Sequence, residues 1–277
     1  MMEILYDDRS AVLRTDSDSI LLTADFHLGF EEELTKQKGV SFPPQQENIL
    51  HRISVLVDRY RIRKLYILGD IKHTITADTP FNWQLIPEFM KALMDIVDTH
   101  VIPGNHDGDL AALLPRKAPI ESVFGVILNE EPTIGLLHGH TWPSKQVLSA
   151  KTLILGHNHP TIQSVRVASA PDIGREERKR RGASIPVILR SQLDKNCVRS
   201  CMSASQESDD TKGVAITLPS FNELFSGVAI NRLDSGFRGP LFENNCVDFL
   251  ESEVYSVSGQ YINSIRGLQK QFNEIVK

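Results

Sequence analysis

The stretch Leu65-Tyr66-Ile67-Leu68-Gly69-Asp70-Ile71-Lys72-His73 constrains this chain more than any other. Four apolar residues read as a buried strand, which stops at a glycine and then presents a carboxylate and, three residues on, an imidazole. Gly-Asp at the C-terminal end of a strand is one way an α/β sheet aims a ligand into the crevice beyond its edge, although the same pair opens many ordinary turns. Four further stretches of similar build decide between these readings: Ala24-Asp25-Phe26-His27, Gly104-Asn105-His106-Asp107, His138-Gly139-His140 and Gly156-His157-Asn158-His159. Seven of the nine histidines lie in these five stretches. The other two, His51 and His100, read as a helix-surface residue and a residue just before a strand. A lone histidine is usually structural. Here histidines and aspartates recur beside glycines after apolar strands, which implies one shared site at the C-terminal ends of adjacent strands. The glycines are expected to let backbone approach a bulky inorganic centre closely.

The rest of the chain supplies a scaffold for such a site. Ile4-Leu5-Tyr6, Ala11-Val12-Leu13 and Ile20-Leu21-Leu22 alternate with polar turns and read as strands. Pro43-Pro44 opens a helix with apolar positions at Ile49, Ile53, Leu56, Val57 and Tyr60. A second helix is expected over Phe81 to Val97, kinked or broken at Pro87, and Val101-Ile102 is another strand. This strand–helix alternation argues for a parallel α/β core. After residue 120 strands dominate: Gly125 to Leu128, Ile134 to Leu137, Leu153 to Leu155, Pro186 to Leu189, Val214 to Leu218 and Val228 to Ile230, with a short helix around Ser144 to Ala150. The predicted fold is α/β, with two packed mixed β-sheets flanked by helices in a single domain over 1–277. A flexible polar insertion is expected at 195–213, centred on Ser203 to Lys212. A hairpin around Gly259 and an amphipathic helix bearing Ile262, Ile265, Leu268 and Phe272 form a C-terminal extension at 250–277.

Composition narrows the partners. The 277 residues carry a net charge of −5, which argues against holding nucleic acid by bulk electrostatics. A bound metal pair would add local positive charge that the count omits. The basic run Arg175 to Arg181 reads as a solvated loop or, more sharply, as a contact for a polyanionic substrate. The three cysteines, Cys197, Cys201 and Cys246, suit a reducing compartment with no disulfide framework. Cys197 and Cys201 lie four apart, but no further Cys or His follows at zinc-finger spacing. They are therefore read as small apolar residues. No signal peptide and no membrane-length apolar run is seen, so a cytoplasmic protein is expected.

Carboxylate, imidazole and amide ligands without thiolate favour borderline to hard divalent metals such as Mn, Fe, Zn or Co. The inventory exceeds the needs of one ion, so two are expected, bridged by a two-oxygen carboxylate for which Asp70 is the candidate. Such a pair lowers the pKa of bound water towards about 7 and can clamp a phosphoryl group.

The ordered set D-x-H, GD, GNHD, H and GHxH across Asp25 to His159 resembles the calcineurin-like metallophosphoesterase family. Pro219-Ser220-Phe221-Asn222 and Gly239-Pro240-Leu241 are similar to a smaller branch related to the SbcD nuclease and common in archaea. The resemblance implies a four-layer αββα sandwich. It implies that one metal takes Asp25, His27, Asp70 and His159, and the other Asp70, Asn105, His138 and His157. His106 would face the substrate and protonate the leaving oxygen or stabilise the developing charge, with Asp107 orienting it. His140 would touch a ligand or the phosphate, or simply pack. His73 stands where many members carry Asp or Arg. The DNA-processing branch similarly has histidine there, supporting the catalytic one.

The resulting expectation is a hydrolase of phosphodiesters using two divalent ions, manganese first and Fe, Zn, Co or Ni as alternatives, with DNA or RNA among its substrates. A phosphomonoesterase or cyclic-nucleotide phosphodiesterase is the alternative. A non-catalytic metal scaffold is the third reading, weakened because neither a ligand nor the catalytic histidine is missing. No membrane partner is expected, and the oligomeric state, a homodimer included, stays open.

Overall fold

The computed structural model describes residues 2–15, 18–75, 79–128, 131–165, 181–203 and 210–276. Its first sheet runs β1 (Glu3–Asp7), β2 (Ser10–Arg14), β3 (Ser19–Thr23), β4 (Lys64–Leu68) and β5 (Asp98–Ile102). β1 to β3 are antiparallel, whereas β3, β4 and β5 are parallel. In β4, Leu65 and Ile67 pack towards the helices while Tyr66 and Leu68 pack towards the other sheet. That two-residue period, apolar on both sides, is what a strand covered on both faces requires. His100 proves to be inside β5 rather than before it, its ring tied to Glu121 at 2.7 Å.

Four helices accompany this sheet: α1 (Phe30–Lys38), α2 (Gln46–Tyr60), α3 (Pro80–Ile96) and α4 (Leu110–Leu113). α2 buries Ile49, Ile53 and Leu56, and α3 buries Leu85, Ile86, Phe89, Met90 and Leu93, against the outer face of the strands. The side chain of Thr79 caps α3 by accepting from the Asn82 N–H, with Pro80 as its first residue. The helix runs on through Pro87 rather than breaking there. α1 had no signature in the sequence. Apart from Phe30 and Leu34 it is polar, so it shows no apolar stripe to read.

The second sheet comprises β6 (Val126–Leu128), β7 (Ile134–Leu136), β8 (Thr152–Leu155), β9 (Pro160–Val165), β10 (Arg181–Asp194), β11 (Lys212–Thr217) and β12 (Val228–Ala229), in the order β12-β9-β10-β11-β8-β7-β6. β13 (Glu253–Ser256) adds to β10 and pairs with β14 (Tyr261–Ser264). α5 (Lys145–Leu148), α6 (Lys195–Cys201), α7 (Pro240–Glu243) and α8 (Ile265–Val276) bring residues such as Val147, Val198, Leu241 and Ile265 to its outer face. Between the sheets, Leu13, Leu22, Tyr66 and Leu68 meet Leu136, Ile154, Ile188 and Ile216. The layers are therefore helix, sheet, sheet, helix, as expected.

Three expectations need correction or bounding. The span 195–213 is not one loose insertion: Lys195–Cys201 is helix α6, capped by the Asp194 carboxylate, and Lys212 begins β11, while 204–209 lie outside the described residues. The basic run lies outside them too, except for Arg181, which opens β10. The cysteines are not all unpaired. Cys197 and Cys246 form a disulfide across 49 residues, their Cα atoms 5.2 Å apart, and Cys201 is free. Sequence spacing gave no sign of it, because α6 and the 246 segment are brought together by contacts between distant parts of the chain, among them the main-chain bond from Asp194 N–H to Cys246 O. Among the described residues no helix is long and apolar enough to cross a membrane.

Candidate metal centre

All five histidine- and aspartate-bearing segments follow strands: β3, β4 and β5 of one sheet, β7 and β8 of the other. β3–β4–β5 are mutually parallel, and so are β7 and β8, so their C-terminal ends collect the segments at one rim. The backbone there is unusual. Asp25, His27, Asp70, His157 and His159 have φ of 60°, 43°, 52°, 71° and 43°. Left-handed backbone costs a non-glycine residue roughly 1–3 kcal/mol, and five instances at one rim mark a place held by its surroundings.

Two groups of side chains converge. Asp25, His27 and His159 form one, and Asp70, His138 and His157 the other, with the ligand atoms of each within 4.8 Å of one another. Asp70 lies between them: its Oδ2 is 3.8 Å from His27 Nε2 and 3.5 Å from His138 Nε2. Asn105 joins the second group through Oδ1, 3.2 Å from His138 Nε2. Asp25 Oδ1 stands 3.3 Å from His159 Nε2, and Asp25 Oδ2 accepts from the His157 N–H at 3.0 Å.

The donor set fits divalent cations. His27 is fully buried, yet neither ring nitrogen meets a hydrogen-bond partner among the described residues, and His159 Nε2 is likewise orphaned. Buried polar atoms are rarely left this way unless something else satisfies them. The tautomers agree. His138 Nδ1 is 2.7 Å from the Leu68 carbonyl, which can only accept, so Nδ1 carries a proton and Nε2 is the ring atom turned to Asp70 and Asn105.

Charge is arranged to match. Burial drives His27 well below the usual imidazole range, reinforced by His159. Burial, then the neighbouring His138, lowers His157 to about 3 and His140 to about 4. Burial opposes ionisation of Asp70, but the charge and hydrogen bond of His138, with His27 and His106, hold its carboxyl far below the normal range. His138 is the counterpart: burial lowers it, and Asp70 and Asp25 outweigh that to raise it to about 9. In the absence of metal it thus holds the proton that a cation would displace.

The glycines act differently from the sequence expectation. A Cβ on Gly69 would run into the His138 ring, one on Gly104 into the Asp70 carboxylate, and one on Gly156 into Ala24 and Asp25. The space glycine leaves is filled by the side chains of His138, Asp70, Ala24 and Asp25 themselves.

Asp107 does not orient His106. Its carboxylate accepts from the Ile71 and Gly104 N–H groups, both at 2.9 Å, tying the segment after β4 to that after β5. Burial, then the charge of Asp70, raises it to about 6. The His106 ring instead donates from Nδ1 to the main-chain carbonyl of His73 at 2.5 Å, leaving Nε2 3.9 Å from Asp70 Oδ2. The His73 ring turns to Glu33 at 2.7 Å. His140 lies beside His138 and His157, ring centroids 5.1 and 6.2 Å away.

Several residues that sequence reasoning missed hold the rim in place. Phe225 stacks on the His27 ring at 4.0 Å and 15°. Ser220 Oγ donates to the Asp25 carbonyl at 2.7 Å, Asn222 Nδ2 to that of Phe26 at 2.8 Å, and the Phe221 N–H to that of Ala24 at 2.9 Å. Arg52 grips this brace, donating to the Phe221 carbonyl at 2.8 Å with its guanidinium over the Phe221 ring. Asn158 exchanges bonds with the Arg238 main chain at 2.7 and 3.1 Å, just before Gly239-Pro240. The signals were present, as the Pro219–Asn222 and Gly239–Leu241 motifs, but their partners lie more than 70 residues away.

Residues 19–190, more than half of the chain, match the family described as calcineurin-like phosphoesterases. The chain belongs to that family. Calcineurin-like phosphoesterases hydrolyse phosphoric esters with divalent metals, which accords with the rim just described. Among solved structures, the nuclease MPE of Pseudomonas putida is 18% identical, with a TM-score of 0.50 over 95% of this chain and 100% of that one. Yfce, a phosphoesterase from E. coli, is 20% identical over 53% of this chain and 74% of that one, at a TM-score of 0.33. A novel archaeal phosphodiesterase is 15% identical over 52% and 76%, at 0.31. No curated protein matches the chain.

Proposed function

We propose that this calcineurin-like phosphoesterase cleaves phosphodiester bonds, those of nucleic acid included, at two divalent cations that share Asp70. The observation that carries the reading is the position of the Asp70 carboxylate, buried between the Asp25–His27–His159 group and the His138–His157 pair and within 4 Å of a ring nitrogen from each. Asp25, His27 and His159 would hold one ion and His138, His157 and Asn105 the other. Imidazole and oxygen donors suit manganese first, and Fe, Zn, Co or Ni as well. When bound, such a pair supplies Lewis acidity towards a phosphoryl oxygen and lowers the pKa of water to about 7.

The chain's own part centres on His106. Its Nδ1 proton is committed to the His73 carbonyl, so Nε2 is the atom that faces the reacting phosphate. There it gives a proton to the leaving oxygen or sits against the developing negative charge. Asp107 keeps the two segments that carry Asp70 and His106 in register. The segments 219–222 and 238–240, which brace Asp25 and Asn158, support reading residues 1–277 as one catalytic domain. Nucleic acid is favoured because the neighbour matched end to end is a nuclease.

Manganese-loaded protein tests the reading on bis-p-nitrophenyl phosphate, p-nitrophenyl phosphate and single-stranded DNA side by side. The diester and DNA should be cleaved faster than the monoester, and His106→Ala should stop turnover while metal content is unchanged. A clear monoester preference, or a His106→Ala enzyme at the parent rate, overturns it.

A further inference from the structure

The chain's only three cysteines, although separated by up to 49 residues, gather at one place outside the catalytic rim. Cys197 and Cys201 lie one turn apart on α6, and Cys246 approaches from the segment after α7. The three sulfurs all lie within 4.8 Å of one another. A structural bridge needs two cysteines. The third sulfur, on Cys201, is brought to the pair without being used by it.

The carbonyl oxygen of Asn244 also faces the cluster, 3.6 Å from Cys197 Sγ and 3.9 Å from Cys246 Sγ. Those spacings can be compared with a tetrahedral zinc site. Bonds of about 2.3 Å to sulfur and about 2.0–2.2 Å to oxygen set sulfur–sulfur edges of about 3.8 Å and sulfur–oxygen edges of about 3.6 Å. The Asn244 oxygen already sits near such an edge. The Cys201 sulfur is within reach of one, and only the bridged pair must move apart.

We infer that, once the Cys197–Cys246 bridge is reduced, Cys197, Cys201 and Cys246 with the Asn244 carbonyl form a second metal site, for one soft divalent cation of the zinc class. A dithiol reductant supplies the two electrons and two protons that open the bridge, closing to its own disulfide. The cation then displaces the three thiol protons as it binds. Thiolates select such ions, whereas the aspartates and histidines of the catalytic rim accept harder ones, so the two sites differ in what they hold. Sequence spacing argued against zinc because no third ligand follows Cys201 nearby. The fold supplies it from 45 residues further on.

Cobalt reports on this directly, because thiolate-to-cobalt charge transfer gives a near-ultraviolet band that imidazole and carboxylate ligands do not. Full-length protein is reduced with a dithiol, freed of reductant under nitrogen and titrated with cobalt. The charge-transfer band should saturate with one thiolate-bound ion per chain beyond the cobalt that the catalytic rim takes, vanish on addition of zinc, and be absent from protein that was never reduced. Cys201→Ser, at an exposed position, should give a weaker band, two thiolates remaining in place of three, and bind zinc at least tenfold more weakly. Asp70→Asn, which disrupts only the catalytic rim, should keep it. A reduced parent protein without the band, or a Cys201→Ser protein with the full band, overturns the assignment.

Discussion

His106 is oriented by the main-chain carbonyl of His73, 2.5 Å from its Nδ1, and not by the carboxylate of Asp107 one residue away. A carbonyl survives side-chain substitution. His73→Ala should therefore leave the Nδ1 bond of His106 in place and remove the packing of the His73 ring against the His106, His27, Phe30 and Phe225 rings and its contact with the half-exposed Glu33. Such pairs contribute about 0–1 kcal/mol, so kcat on a manganese-activated diester should stay within roughly fivefold of the parent. His106→Ala on the same substrate should lose about 10²–10⁴. Equal losses in the two variants would mean that the His73 ring itself takes part in the chemistry.

Asp107 acts through the two oxygens of its carboxylate, one facing Ile71 and the other Gly104. Asp107→Asn keeps one acceptor and turns an amide N–H₂ towards the other N–H. Leaving a buried donor unsatisfied costs about 1–3 kcal/mol. At about 2–4 °C per kcal/mol for a chain of comparable size, the melting temperature of the metal-free protein should fall by several degrees. A thermal melt at neutral pH measures this, and an unchanged midpoint would rule out the tying role.

Much of this arrangement could be read from residue order, and the reasons for success and failure are physical. The β4 stretch declared itself because a strand covered on both faces must be apolar throughout and must end where Gly69 and Asp70 turn it. α2 and α3 declared themselves through an apolar stripe at helical spacing. α1 could not, because apart from Phe30 and Leu34 it is polar and shows no apolar stripe, and so Glu33 escaped notice. The role given to Asp107 failed for a related reason. The family motif implied contact with His106, but in the turn after β5 the carboxylate finds main-chain donors instead. The disulfide and the Ser220–Asn222 brace are contacts between distant segments, which no local pattern encodes.

Alkaline pH should expose a second stabilising feature, at Tyr6 on β1. Burial, then the charge of nearby Tyr255, raises its hydroxyl to about 12 from a normal value of 10.0, with Arg190 opposing. A group whose folded pKa is raised contributes its full stability below the unfolded pKa. That contribution falls as pH climbs past 10, where only the unfolded chain ionises, and is gone by about 12. Two units correspond to roughly 2–3 kcal/mol. Urea midpoints measured from pH 8 to 11.5 should drop more steeply for the parent than for Tyr6→Phe, and one tyrosine should titrate late at 295 nm. Parallel curves for the two proteins would remove Tyr6 as the cause.

Asn222 offers the sharpest test of the idea that the rim is held in strain from behind. Its side-chain amide donates to the Phe26 carbonyl at 2.8 Å and accepts from the Leu224 N–H at 2.9 Å, and Phe26 lies between Asp25 and His27, both left-handed. Asn222→Asp keeps the size and the acceptor towards Leu224 but sets a carboxylate oxygen against the Phe26 carbonyl. The repulsion acts on the backbone that aims two proposed ligands, while His106, the proposed catalytic residue, is untouched. Loss of an outer contact that orients metal ligands commonly weakens metal binding by about 10–100-fold. Manganese titration of Asn222→Asp should show a loss of that order in the weaker step, and saturating manganese should restore most of kcat. Tight manganese binding in this variant would show that Asp25 and His27 keep their aim without the brace. Weak binding with no recovery of kcat would show that the segment governs more than the ligands.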